Sequence, residues 1–264
     1  MFWLGWPTRE FQDGVKGMPA EPLEGDGVKP PAYFGLDTPE LRDQSADYYN
    51  CMTRLDALVG NLLGVLRKSG KVENTLVVYI GDHGADLLRG KRTSYEGGVR
   101  VPFIVSWPGR IEGGQVREEL VSTLELMPTF LEVSGAEAVP GLPGRSLVPL
   151  LKGGAREWRR YLFTEYHQHS PHNFYPQRTV REGRYKLILN LMPGEVNPGY
   201  DFTMKRFFDG LEGVVEAAGE PVRGAYALMR TPPAYELYDL EADPYEFSNL
   251  AEAPEQVAVL ERLK

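Results

Sequence analysis

Hydrophobic positions fall at helical spacing through one long stretch of this chain. Cys51, Leu55, Leu58, Leu62 and Val65 recur at intervals of three and four, predicting a helix with one apolar stripe. Thr38-Pro39-Glu40 supplies its start: a hydroxyl N-cap, proline at the first helical position and an acid in the first turn. The basic pair Arg67-Lys68, followed by Ser69-Gly70, supplies its end. Residues 75–80 are apolar without alternation, the pattern of a central parallel strand covered on both faces. A second apolar strand, residues 101–107, closes on Pro108-Gly109, and residues 116–131 predict a further helix, bent or crowded at Pro128. Helices and strands in this order imply an α/β layout.

The pattern changes after a Gly-, Pro- and Leu-rich loop at residues 140–153. Short strands are expected at 161–166, 178–181, 185–190 and 235–240, with Glu182-Gly183 as a tight hairpin connection. Residues 192–233 read as an irregular insert in this antiparallel sheet, and 253–263 as a closing helix. The expected division is therefore 1–153, with 1–37 irregular, and 154–264.

Composition narrows the function classes. The chain has 264 residues, 42% of them hydrophobic, and no apolar run long enough to span a membrane. The opening MFWLGW is too short and too poorly flanked for a signal peptide. A formal net charge of -8 argues against a broad basic face for nucleic acid. It leaves room for an anionic ligand held by a metal and a few local cations. The single cysteine, Cys51, excludes an internal disulfide and a thiolate cluster; on the helix stripe it reads as a core thiol.

Chemistry concentrates where the first strand ends, in Gly81-Asp82-His83-Gly84. Strand ends are where α/β sheets present ligands. Asp82 is a hard oxygen ligand for Ca²⁺ or Mg²⁺, or else the cap of a turn. His83 is a hydrogen-bond or proton donor, or else a loop residue. Lys91 suits the stabilisation of growing charge on an anion, or else is one solvated base beside Arg89 and Arg92. Glu96-Gly97-Gly98 requires no chemistry beyond a tight turn. Three of the four histidines, His167, His169 and His172, cluster in TEYHQHSPHNFYPQR. His167 and His169 alternate along a strand edge and would face one side; the loop suits a sugar or an anion, or is simply surface.

Together these segments resemble the sulfatase family of the alkaline phosphatase superfamily. The matching pieces are the stretch from TPELRDQSADYYN to TLVVYIGDHG, then GKRTSYEGGVRVPFIVSWPG, STLELMPTFLEVSG, PGRSLVPLLKG, RTVREGRYKLILN and YELYDLEADPYEFSNLA. The C-terminal pieces are most similar to the heparan N-sulfatase branch. The resemblance implies an alkaline-phosphatase-like fold: a partial main sheet flanked by helices, plus a smaller antiparallel sheet with a closing helix. It implies a formylglycine hydrate attacking sulfur, one Ca²⁺ holding the sulfate, and a sulfated carbohydrate or other small sulfate ester as substrate. Asp82 matches the metal-binding aspartate and His83 the adjacent metal-facing position. Lys91 matches the sulfate-contacting cation, and His167, His169 and Arg178 fall in a region lining the substrate pocket. Periplasmic, extracellular or lysosomal placement follows from the resemblance alone. The family's early Asp-Asp pair is absent, and Cys51 stands in Asn50-Cys51-Met52-Thr53-Arg54, without the proline of the family's C/S-x-P-x-R nucleophile motif. The expectation is therefore the C-terminal portion of a longer enzyme, inactive alone. The alternatives are a phosphate or phosphonate ester hydrolase of the same superfamily, and a non-catalytic remnant binding sulfated glycans.

Overall fold

The structure, a computed structural model, describes residues 19–154, 157–169 and 173–264. Helix α1, Pro39–Lys68, begins as its sequence dictates: the Thr38 hydroxyl accepts from the Leu41 N–H at 3.3 Å. It ends at Ser69, and Gly70 takes the left-handed conformation at φ 70°. The apolar stripe does not lie in a core. Leu62 and Val65 are 69% and 66% exposed, and the buried residues of α1 are Leu41, Ser45, Ala46 and Asn50, toward its start. Ahead of α1, residues 19–37 are irregular, with short 3-10 turns at Gly25–Gly27 and Ala32–Phe34, yet Phe34 and Leu36 are buried.

Strand β1, Val77–Ile80, leads into a loop that includes the one-turn helix α2, Glu96–Val99, and returns as β2, Phe103–Ser106. β1 and β2 pair antiparallel, with Val77 opposite Ser106, and β1 is half-buried throughout. This corrects the expectation of a covered parallel strand: an apolar run specifies two apolar faces but not the direction of the neighbour. The helix expected over 116–131 starts later. A 3-10 turn at Thr123–Glu125 leads into α3, Leu126–Ser134, because Ser122 and Glu125 form a reciprocal capping box there. A short helix α4, Val148–Leu151, sits inside the expected boundary loop.

The second sheet has strand order β3-β4-β5-β6, antiparallel throughout: Tyr161–Tyr166, Gln177–Glu182, Tyr185–Asn190 and Tyr235–Asp239. Gly183, at φ 55°, makes the tight turn between β4 and β5. The insert before β6 is helical rather than irregular: α5, Pro198–Phe207, α6, Leu211–Ala217, and α7, Val222–Arg230. Asn197, Pro198 and Pro221 of this insert are helix starts. Asn197 caps α5 by accepting from the Gly199 N–H at 2.9 Å, with Pro198 at the first position. Helix α8, Val257–Leu263, closes the outer face of the sheet, where Leu260 and Leu263 pack with Val180, Leu187 and Leu237.

The larger core lies on the sheet's other face and draws on both halves of the sequence. Phe34, Leu41, Leu87, Leu88 and Tyr95 pack with Ile188, Met204, Leu211, Tyr226 and Tyr238. At its centre the fully buried Glu236 carboxylate accepts from Tyr95 Oη at 2.9 Å, Tyr238 Oη at 2.6 Å and Asn190 Nδ2 at 2.8 Å. The two tyrosines satisfy Oε2 and the asparagine Oε1, so neither oxygen is stranded. No described helix is long and apolar enough to cross a membrane.

Candidate active site

The loop from Gly81 to Arg100 is folded tightly on itself. A Cβ on Gly84 would land on the Gly97 carbonyl oxygen, and one on Gly98 would land on the Thr93 carbonyl oxygen. The Gly84 N–H donates to Gly98 O at 2.8 Å. Gly97 and Gly98, expected in a tight turn, therefore serve close backbone approach within and beside α2. This packing places Asp82 and His83 at the rim, with side chains 72% and 41% exposed.

His83 Nδ1 lies 2.8 Å from Gly84 O, a contact only a protonated nitrogen makes favourably. Nε2, the other ring nitrogen, lies 3.6 Å from Asp82 Oδ2. The rim thus carries an imidazole beside a carboxylate; with Nδ1 donating to the backbone, a neutral ring would offer Nε2 to a metal. Ca²⁺ takes about six to eight oxygen ligands. Among the described residues no three acidic, histidine or cysteine side chains converge on one point. Asp82 and His83 fit as a share of such a shell and do not make a calcium site by themselves.

Lys91 belongs to the same rim. Partial burial pushes its amine below the ordinary lysine range; Arg92 and Arg206 push the same way, and Asp86 and Asp82 oppose them. Its backbone N–H donates to Ala85 O at 2.8 Å, closing the loop. The flanking arginines are not solvated. Arg92 is buried, ion-paired in bidentate fashion to Asp86, and stacked with its Cζ 4.7 Å from the Phe202 ring centre. Asp86 also accepts from Arg206 at 2.7 Å. Burial raises the Asp86 carboxyl, but the two arginines outweigh it and hold it at about 2. Arg89 is wholly buried: Nη2 donates to Tyr245 O at 3.0 Å and Glu246 O at 2.7 Å, and the guanidinium lies 4.3 Å from the Tyr95 ring centre. Arg89 and Arg92 take positive φ, 53° and 76°, a conformation that costs energy in a non-glycine residue.

The histidines separate. His169 joins the rim: partial burial, then Lys91 and Arg92, lower its imidazole, Asp86 opposes and His83 adds to the lowering. His167 lies beyond β3 and pairs instead with Glu165 at 3.5 Å. His172 lies outside the described residues. Arg178 stands opposite Glu165 in the β3–β4 register and shares a sheet face with Val180, which packs on α8. The opposite face, carrying Gln177 and Arg181, meets the loop at Ser94 and Glu96. Asp82 and His83 thus stand side by side, Lys91 and His169 lie close enough for their charges to act on one another, and His167 and Arg178 lie elsewhere. Sequence reading missed Asp86 and Arg206. The spacing of Phe202 and Arg206 along one helix face was their signal, hidden because the insert read as irregular. Partial burial, then Asp47, raise the Cys51 thiol, away from the thiolate form a nucleophile uses.

These features define a class. One family profile, described as Sulfatase, matches residues 8–136, and a second, described as N-sulphoglucosamine sulphohydrolase, C-terminal, matches residues 81–204. The chain belongs to the sulfatase family, within the alkaline-phosphatase-like superfamily. It is 33% identical over 249 residues to human N-sulphoglucosamine sulphohydrolase, covering 88% of this chain and 48% of that protein. An ulvan-active sulfatase of Formosa agariphila is 32% identical over 200 residues, covering 72% of this chain and 36% of that one. A solved 2-O GAG sulfatase shares the fold with a TM-score of 0.66 at 21% identity, over 96% of this chain and 53% of that chain. The chain spans less than half the length of these two curated relatives.

Proposed function

We propose that this chain carries the metal- and sulfate-facing loop of a sulfatase acting on a sulfate ester or N-sulfate of a sugar. The observation behind it lies beyond the carboxyl end of β1, where the Asp82 carboxylate is 3.6 Å from His83 Nε2 and close enough to Lys91 for its charge to act on the amine. In this reading Lys91 binds a sulfate oxygen and stabilises the charge that grows there as the bond to sulfur breaks. Asp82 and His83 contribute part of a Ca²⁺ shell, and His169, close enough to Lys91 for its charge to act on the imidazole, contacts the substrate. The names of the relatives, a sulphoglucosamine hydrolase and an ulvan sulfatase, support a sulfated carbohydrate as the substrate class. A working centre also requires a nucleophile and further metal ligands; Cys51 lacks the proline of a C/S-x-P-x-R motif, and the S-x-P-x-R run at Ser106-Trp107-Pro108-Gly109-Arg110 starts opposite Val77, at the end of the β1–β2 pair away from Asp82. The chain by itself therefore binds and does not turn over.

Inorganic sulfate titrated into the full chain should shift the amide resonances of residues 82–91. Lys91→Ala should weaken that binding about tenfold, the worth of one good charge-assisted contact. Hydrolysis of an aryl sulfate by the purified chain, or binding indifferent to Lys91→Ala, would overturn the reading.

A further inference from the structure

We propose that Arg206 and Phe202 of α5 are positioning residues for Lys91: they hold Asp86 and Arg92, and through them the loop that presents the lysine. The inference deepens the proposed function and rests on it for the meaning of Lys91, but the holding itself is independent of any ligand. Arg206 and Phe202 are one helical turn apart and present themselves on one face of α5. Arg206 donates to Asp86 Oδ2 at 2.7 Å, while Asp86 receives Arg92 through both oxygens. Phe202 receives the guanidinium of Arg92 at 4.7 Å and that of Arg206 at 5.7 Å from its ring centre. Arg92 directly follows Lys91 and holds a strained φ of 76°, which persists only where its surroundings enforce it. On the other side of Lys91, Arg89 is pinned to Ala225 O of α7 and to Tyr245 O and Glu246 O. The helical insert and the segment after β6 therefore grip the loop immediately before and after the lysine. A turn pinned by α5 at one end and by α7 at the other gives the amine a fixed base, as a group meeting a growing charge requires.

The test uses the full chain and amide hydrogen exchange. Arg206→Gln should speed exchange about tenfold at Gly90, Lys91 and Thr93, whose N–H groups close the loop on Leu87, Ala85 and Gly90. β5 should keep its protection, and Arg206→Lys should restore much of the loop's. Equal acceleration everywhere would mean ordinary loss of stability, and no acceleration would mean no grip; either overturns the proposal. If Arg206→Gln fails to fold, Phe202→Leu carries the same comparison, since it removes the ring and keeps an apolar side chain. Sulfate binding then separates this inference from the reading beneath it. Arg206→Gln should weaken sulfate several-fold with Lys91 present and have no further effect in the Lys91→Ala background. An equal loss in both backgrounds would mean that Arg206 acts on the anion directly. Wild-type binding insensitive to Lys91→Ala would sink the sulfate reading, while the exchange result would still decide the grip.

Discussion

Replacing Asp86 with asparagine isolates the charge that ties the loop to α5. Asp86 accepts from Arg92, whose side chain is 3% exposed, and from Arg206, whose side chain is 11% exposed. The arginines hold its carboxyl at about 2, against an ordinary value of 3.8. Each pH unit of such lowering corresponds to about 1.4 kcal/mol, or roughly 2 kcal/mol in all. A third of the Asp86 side chain meets solvent, which screens the interaction, so about 1–2 kcal/mol survives. Removing the charge also leaves the Arg92 guanidinium buried without its anion, a loss that in full burial costs about 3–5 kcal/mol. With partial exposure, the expected cost of Asp86→Asn at neutral pH is about 2–3 kcal/mol. A folded pKa below the unfolded one gives stability that is fully present above about 3.8 and lost as pH falls toward 2. The gap between wild type and variant should therefore be constant from pH 7 to about 5 and shrink by about 1–2 kcal/mol toward pH 2.5. Urea denaturation followed by circular dichroism across this range measures both quantities. A gap under about 0.5 kcal/mol at pH 7, or one that does not change with pH, would refute the argument.

Gly84→Ala should cost several kcal/mol or prevent folding, because its Cβ meets the Gly97 carbonyl oxygen, whereas Gly113→Ala, with nothing within 4 Å, should change the melting temperature by no more than a few degrees. Arg178→Gln should alter sulfate affinity by less than about twofold, since Arg178 shares the α8 face of the sheet; a loss as large as that of Lys91→Ala would place the ligand on that face instead. Ca²⁺ should bind the chain at roughly millimolar strength or weaker, having one carboxylate and one imidazole where it takes six or more oxygens. Calorimetry showing micromolar affinity that disappears in Asp82→Ala would contradict this.

What the sequence made legible and what it hid divide along a physical line. Helix α1, strands β3, β5 and β6, and the tight β4–β5 turn were readable because caps, alternation and glycine act within a few residues. Asp82, His83 and Lys91 stood out as candidates for the same reason: a strand that stops at a glycine, followed by groups with distinctive chemistry. Strand direction was not readable, since β1 and β2 are joined through pairing that an apolar run leaves open. The insert was misread because Asn197-Pro198, Gly210 and Pro221, which open its helices, use the same residue types as loops. That one error concealed the rest of the site. Asp86 and Arg206 are 120 positions apart, and their contact exists only once α5 is a helix lying against the loop. The same holds for Arg89, which looks like one more surface base until the core formed by α7 and the residues after β6 closes around it. Groups that meet a ligand announce themselves by their own chemistry. Groups that hold those in place are ordinary charged or aromatic residues until long-range packing gives them a partner, so a loop with three closely spaced cations is a reason to ask which of them the fold has already spent on itself. Here Arg89 and Arg92 are committed to the fold, and Lys91 is the cation that reaches the rim.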